Sequence, residues 1–175
     1  MKNIKIKTTK INILAIILFF ISSAIFILIQ SQLFNYIYIK IDLFIILTMI
    51  LIPFIHEFLH FIGFITLGKL KPNQLIFKPN KSSPIPYFRT TIALRKNDYI
   101  FILLLPCIIL TISSIYLALT YSNIICSFLV SYSLSMSTGD LMLIKELLIL
   151  NTEDKIIPLA DELGFSISNN AYETL

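Results

Sequence analysis

Charge, cysteine and histidine are all scarce in this chain of 175 residues. Only 14% of the residues are charged, against 57% hydrophobic. Soluble domains carry about 25% charged residues, so the composition excludes an ordinary soluble fold and points to an integral membrane protein. The two cysteines, Cys107 and Cys126, lie in apolar segments and show no Cys-x-x-Cys spacing, which leaves no case for a disulfide framework. The formal charge is +4, but the basic residues fall between apolar runs, where they set topology rather than bind nucleic acid. No small-x-small cleavage site follows the first apolar stretch; the residues there are Gln30, Ser31, Gln32 and Leu33. With its basic flank (Lys2, Lys5, Lys7, Lys10), that stretch reads as a retained signal anchor. No internal repeat or low-complexity tract is present.

Long hydrophobic runs fill most of the remainder. Four segments are each long enough to span a bilayer, at about 11–30, 41–67, 99–120 and 123–150. The expected fold is an all-α membrane protein of about four transmembrane helices, a single integral membrane domain over 1–175. A polar connection over 68–98 carries Pro72, Pro79, Pro84 and Pro86; within it, Leu75–Lys78 and Thr90–Leu94 fit a short hairpin. The tail over 151–175 is polar and acidic, with Glu153, Asp154, Asp161, Glu162 and Glu173. Four lysines precede the first segment, Lys40 follows it, and Tyr121–Ser122 has no basic residue. The 68–98 loop holds seven: Lys69, Lys71, Lys78, Lys81, Arg89, Arg95 and Lys96. The positive-inside bias places both termini and this loop in the cytoplasm, as in a multi-pass cell-membrane protein. The seven basic residues read as topology determinants and contacts for anionic lipid.

Both histidines fall in one pentapeptide, His56-Glu57-Phe58-Leu59-His60, inside the second apolar segment. On a helix, His-Glu-x-x-His sets two imidazoles one turn apart on one face with a carboxylate beside them, the arrangement zinc and an activated water require. Ionisable groups within a membrane segment are costly and mark function by default. A third ligand has to be another residue type, and Asp140, Glu146, Cys107 and Cys126 are the candidates. Counting from Asp42, the histidines lie roughly 20 to 27 Å down the second segment; counting from Asn123, Asp140 lies about 25 Å down the fourth. The depths match toward the cytoplasmic side. Cys126 is near the outer face. Glu146 is about 9 Å below Asp140, where water can solvate it. Depth leaves Cys107 open, and a site at the cytoplasmic surface would recruit Glu146 instead.

The run Ser131, Ser133, Ser135, Ser137, Thr138, Gly139 favours close helix approach and cross-helix hydrogen bonds near Asp140. Gly139 lets backbone come near or opens a local irregularity. Pro53 kinks the second helix or frees a carbonyl there. Pro106 reads as a packing kink. The expected centre is Zn2+ held by His56, His60 and Asp140, with Glu57 as the base.

His56-Glu57-x-x-His60 in a membrane helix, with an acid in a later one, resembles the site-2 protease type of intramembrane metalloprotease. A closer similarity is to small bacterial membrane proteins described as "putative zincin peptidases". It runs from roughly Pro53 to Ser166 through HEFLH, Pro86-Tyr87, Leu105-Pro106, Ser137-Thr138-Gly139-Asp140 and Leu159-Ala160-Asp161-Glu162-Leu163-Gly164-Phe165. Larger site-2 proteases carry Asp-Gly in their late motif; here the order is Gly139-Asp140. The resemblance implies ligands His56, His60 and Asp140, base Glu57, and hydrolysis of a membrane-anchored peptide or protein. A non-catalytic accessory or immunity-type membrane protein retaining a zincin-like site is the rival; the intact Glu57 and ligand set favour the enzyme.

Overall fold

The computed structural model describes residues 2–41, 43–80, 83–151, 154–159 and 162–168. Asp42, Lys81, Glu153, Ala160, Asp161 and the tail from 169, Glu173 included, lie outside them. Three apolar runs form helices long and apolar enough to cross a membrane: α1 (Thr8–Leu33), α2 (Leu43–Thr66) and α3 (Lys96–Thr120). The fourth run is split into α4 (Ile124–Met136) and α5 (Thr138–Leu148), bent by 41° at Ser137, the geometry of a broken span or of a re-entrant loop, so the candidate spans number three or four. The outward faces are apolar, with Ile16, Phe20, Leu28, Ile50, Phe54 and Ile112 exposed. An apolar surface of that extent marks a membrane or interaction face, and with three helices long and apolar enough to cross a bilayer it is consistent with a membrane protein.

The serines explain the break. Ser131, Ser133 and Ser137 each donate to the carbonyl four residues back, at 3.1, 3.0 and 3.2 Å, a competition with the helix ladder that bends helices. Ser133 also meets Ser114 of α3 at 3.0 Å, the expected cross-helix bond. The irregularity anticipated at Gly139 therefore sits at Ser137; a Cβ on Gly139 would meet only Leu163, at 3.6 Å. By contrast α2 runs unbroken through Pro53.

Gln30, fully buried near the end of α1, joins three helices. Its Nε2 donates to the carbonyls of Ala118 (2.8 Å), Tyr121 (3.0 Å) and Asn123 (3.3 Å), and its Oε1 accepts from Ser127 (2.8 Å). The end of α3 and the turn into α4 thus find donors that lipid cannot supply.

At the opposite end, strands cap the bundle. A four-stranded antiparallel sheet runs in the order β1 (Lys2–Lys5), β6 (Gly164–Ser168), β5 (Lys155–Pro158), β4 (Leu94–Arg95). The all-α expectation holds in the coarser form of a mostly helical chain carrying this small sheet. The tail, read as polar, contributes two strands whose Ile156, Phe165 and Ile167 join the core with Phe64, Ile102 and Leu147. Strands of four and five residues, paired to each other and at their outer edges to segments far away in sequence, leave little local periodicity to detect.

The loop does hold a hairpin, β2 (Leu75–Asn80) with β3 (Ser83–Thr90), in the register Leu75↔Thr90 and Phe77↔Phe88. Its second strand is 83–90 rather than 90–94; Leu94–Arg95 pairs with β5 instead. Pro84 and Pro86 made the stretch read as loop, yet a two-stranded hairpin has an open edge where proline is tolerated. Of the loop's basic residues, Arg89 and Lys96 are buried rather than in contact with lipid, and Lys96 Nζ donates to the Leu150 carbonyl at 2.7 Å.

Gln30→Leu should lower stability by about 1–3 kcal/mol, because it leaves buried carbonyls without donors. Equilibrium unfolding in mixed micelles measures this. Tyr36→Ala, at an exposed position, should stay within about 0.5 kcal/mol.

Candidate metal centre

Helical spacing on α2 puts His56 and His60 on one buried face, their rings 4.8 Å apart and nearly perpendicular. The bend at Ser137 turns α5 so that its first helical turn presents Asp140 to the same point. His56 Nε2 lies 3.1 Å from Asp140 Oδ2, His60 Nε2 lies 3.5 Å from it, and the two Nε2 atoms are 3.2 Å apart. Tetrahedral zinc with ligand bonds of about 2.0–2.1 Å needs donor atoms about 3.3 Å from one another. The three atoms make a triangle of nearly that size. Asp140 Oδ2 has no hydrogen bond of proper geometry despite these short contacts. The set can hold a metal ion.

Orientation of His60 comes from α3. Its Nδ1 lies 3.1 Å from the Ile102 carbonyl. A carbonyl only accepts, so Nδ1 carries the proton and Nε2 keeps its lone pair for a metal. That carbonyl is spare because its helical partner would be residue 106, and Pro106 has no N–H. The expected packing kink is thus the source of a hydrogen-bond acceptor. Gly63, one turn beyond His60, permits the approach: a Cβ there would stand 3.3 Å from Ile102 Cα and its side chain.

Glu57 points to the same space. Its Oε2 is buried without a partner, and the backbone amide of Phe88 in β3 faces its carboxyl. Phe88 is held there by ring contacts with Phe61 of α2 (4.9 Å) and Phe77 of β2 (4.6 Å). Together His56, Glu57, His60 and Asp140 line a half-open cavity of about 310 Å3, bordered by the start of α1, by β3 and by the tail. Tyr99 and Arg89 line it as well. Residue-by-residue reading of the sequence missed both, since Arg89 was one of seven loop cations and Tyr99 one of many aromatic residues at a helix start.

Among the described residues the cluster contains no other His, Cys, Asp or Glu. Glu146 lies further along α5 and does not join it. Cys107 is a half-buried thiol outside it, and Cys126 packs with Ala118 and Val130. Of the four candidates, which depth narrowed without excluding Cys107, Asp140 is the one that lies against the histidines.

Pro106→Ala returns an N–H that competes for the Ile102 carbonyl. Zinc affinity should fall about tenfold or more, in the range typical of outer-shell ligand partners, with helix content unchanged. Competition against a chromogenic chelator measures it. Cys107→Ser and Glu146→Gln should leave the affinity as it is.

No curated protein and no solved structure matches the chain. A family profile described as "Putative zincin peptidase" matches residues 49–154, which span most of α2, the hairpin, α3 and the α4–α5 pair. By that match the chain belongs to the "Putative zincin peptidase" family.

Proposed function

We propose that the chain is an intramembrane zinc metalloprotease that hydrolyses a peptide bond of a membrane-anchored substrate. The carrying observation is the convergence of His56, His60 and Asp140 beside the unpartnered Glu57 Oε2, on one cavity among apolar helices. His56, His60 and Asp140 would hold the ion, which supplies Lewis acidity, polarising a peptide carbonyl and bringing a water toward a pKa of about 7. Glu57 accepts the proton of the attacking water and passes it to the leaving amine nitrogen. The Phe88 amide keeps the Glu57 carboxyl turned to the cavity.

Only an unwound segment can present its carbonyl here, because a helix keeps its own carbonyls bonded. His60 lies six residues from the end of α2, about 9 Å from the end capped by the sheet. Positive-inside bias puts that end, with both termini, in the cytoplasm, so the substrate would be cut in the cytoplasmic half of the bilayer. The bilayer and the anchored substrate are the partners of this reading.

The test compares membranes of cells expressing wild type or Glu57→Gln, with peptide termini mapped by mass spectrometry. New termini within or beside apolar segments should appear with wild type only, since loss of a general base costs about 10²–10⁴ in rate. Identical termini in the two samples would contradict catalysis and favour a non-catalytic role.

A further inference from the structure

Arg89 is a buried cation that the hydrolytic arrangement leaves unused. It is 5% exposed, and its Nε and Nη2 have no hydrogen-bond partner. Its guanidinium carbon sits 3.7 Å from the centre of the Tyr87 ring, which fixes the plane of the group. Tyr87 and Arg89 are two apart on β3 and so share one face of the hairpin; both line the cavity that holds His56, Glu57 and Asp140. Among the described residues no carboxylate is ion-paired to Arg89. Glu162, the other acid on the cavity wall, is paired with Lys5 at 2.7 Å. A buried charge without a counter-ion is strongly disfavoured, and stacking on one ring offsets only part of that.

The two orphan nitrogens identify the missing group. Nε–H and Nη2–H lie on the same edge of the guanidinium, and that edge binds both oxygens of a carboxylate at once. A backbone carbonyl offers only one oxygen to the pair; a phosphate could also bridge this edge, but the two-oxygen anions that an unmodified peptide carries are its carboxylates. We propose that Arg89 is the receptor for a carboxylate on the substrate, so the cavity selects peptides bearing an acidic group near the scissile bond. The group is either the C-terminal carboxylate or an Asp or Glu side chain. Arg89 then anchors the segment while Glu57 and the ligand triad address the bond. This inference rests on reading the cavity as a peptide-hydrolysing site.

The test measures binding without turnover, in full-length Glu57→Gln in an uncharged detergent. The probes are three forms of one hexapeptide, Leu-Ala-Leu-Gly-Ala-Leu, with an uncharged fluorophore at the N-terminus. One ends in a free carboxylate, one in a carboxamide, and one in a carboxamide with Glu replacing the second Ala. Fluorescence anisotropy should show one acidic form binding at least about tenfold tighter than the neutral form, as expected for a charged, two-pronged hydrogen bond. The tighter acidic form names the source of the carboxylate. Adding Arg89→Gln should bring that acid down to the affinity of the neutral probe, and Arg89→Lys should keep part of the preference. Equal binding of acid and neutral forms, or no binding of any form up to a millimolar, overturns the proposal. So does a loss in Arg89→Gln that affects all forms alike, because a purely structural arginine would act that way. Cleavage is not read here, so the proteolytic reading can fail on the termini experiment while this preference stands, and the reverse.

Discussion

The site depends on one hydrogen bond between a histidine and a backbone carbonyl. His60 can offer its Nε2 to a metal only if Nδ1–H has somewhere to go, and in an apolar bundle water is not there to receive it. The Ile102 carbonyl receives it at 3.1 Å. Two residues with no obvious chemistry make that possible: Pro106 withdraws the competing N–H, and Gly63 lets α3 come close enough. The bend at Ser137 then completes the triangle by bringing Asp140 in from the other side. A loss of any one would leave the histidine pair intact in sequence and misdirected in space.

The bundle treats its polar groups in two ways. Away from the cavity they are mostly tied up: Gln30 serves the α3–α4 turn, Asn123 exchanges bonds with Lys40, and the serines of α4 bond back or across. Around the cavity, atoms of His56, Glu57, Arg89 and Asp140 are buried without hydrogen-bond partners. Lipid-embedded protein tolerates such groups only where something else completes them. A cation would complete the triad, a water Glu57, and an anion Arg89. On the proposed reading, these unsatisfied atoms outline the chemistry of the cavity.

Much of this was legible in the sequence, for identifiable reasons. Long apolar runs fix membrane helices through a solvent constraint, so α1 to α3 fall where hydropathy puts them. His56 and His60 share a helix face through a fixed 3.6-residue period. Asp140 could be chosen over Glu146 and Cys126 because rise per residue converts sequence position into depth. What sequence did not reveal depends on contacts between distant segments. The four-stranded sheet joins Lys2–Lys5 to a tail some 160 residues away through strands too short to show a pattern. The His60–Ile102 bond involves a backbone carbonyl, and its only sequence trace is a proline four residues later. Arg89 looked like a topology charge until the hairpin carried it into the cavity.

Zinc K-edge X-ray absorption on the purified, zinc-loaded protein tests the central claim most directly. The account predicts a four-coordinate ion with two imidazole nitrogens and carboxylate or water oxygens, all at about 2.0–2.1 Å, and no sulfur. Asp140→Asn should alter this first shell. A sulfur contribution at about 2.3 Å, a shell lacking imidazole, or folded protein that retains no zinc would contradict it.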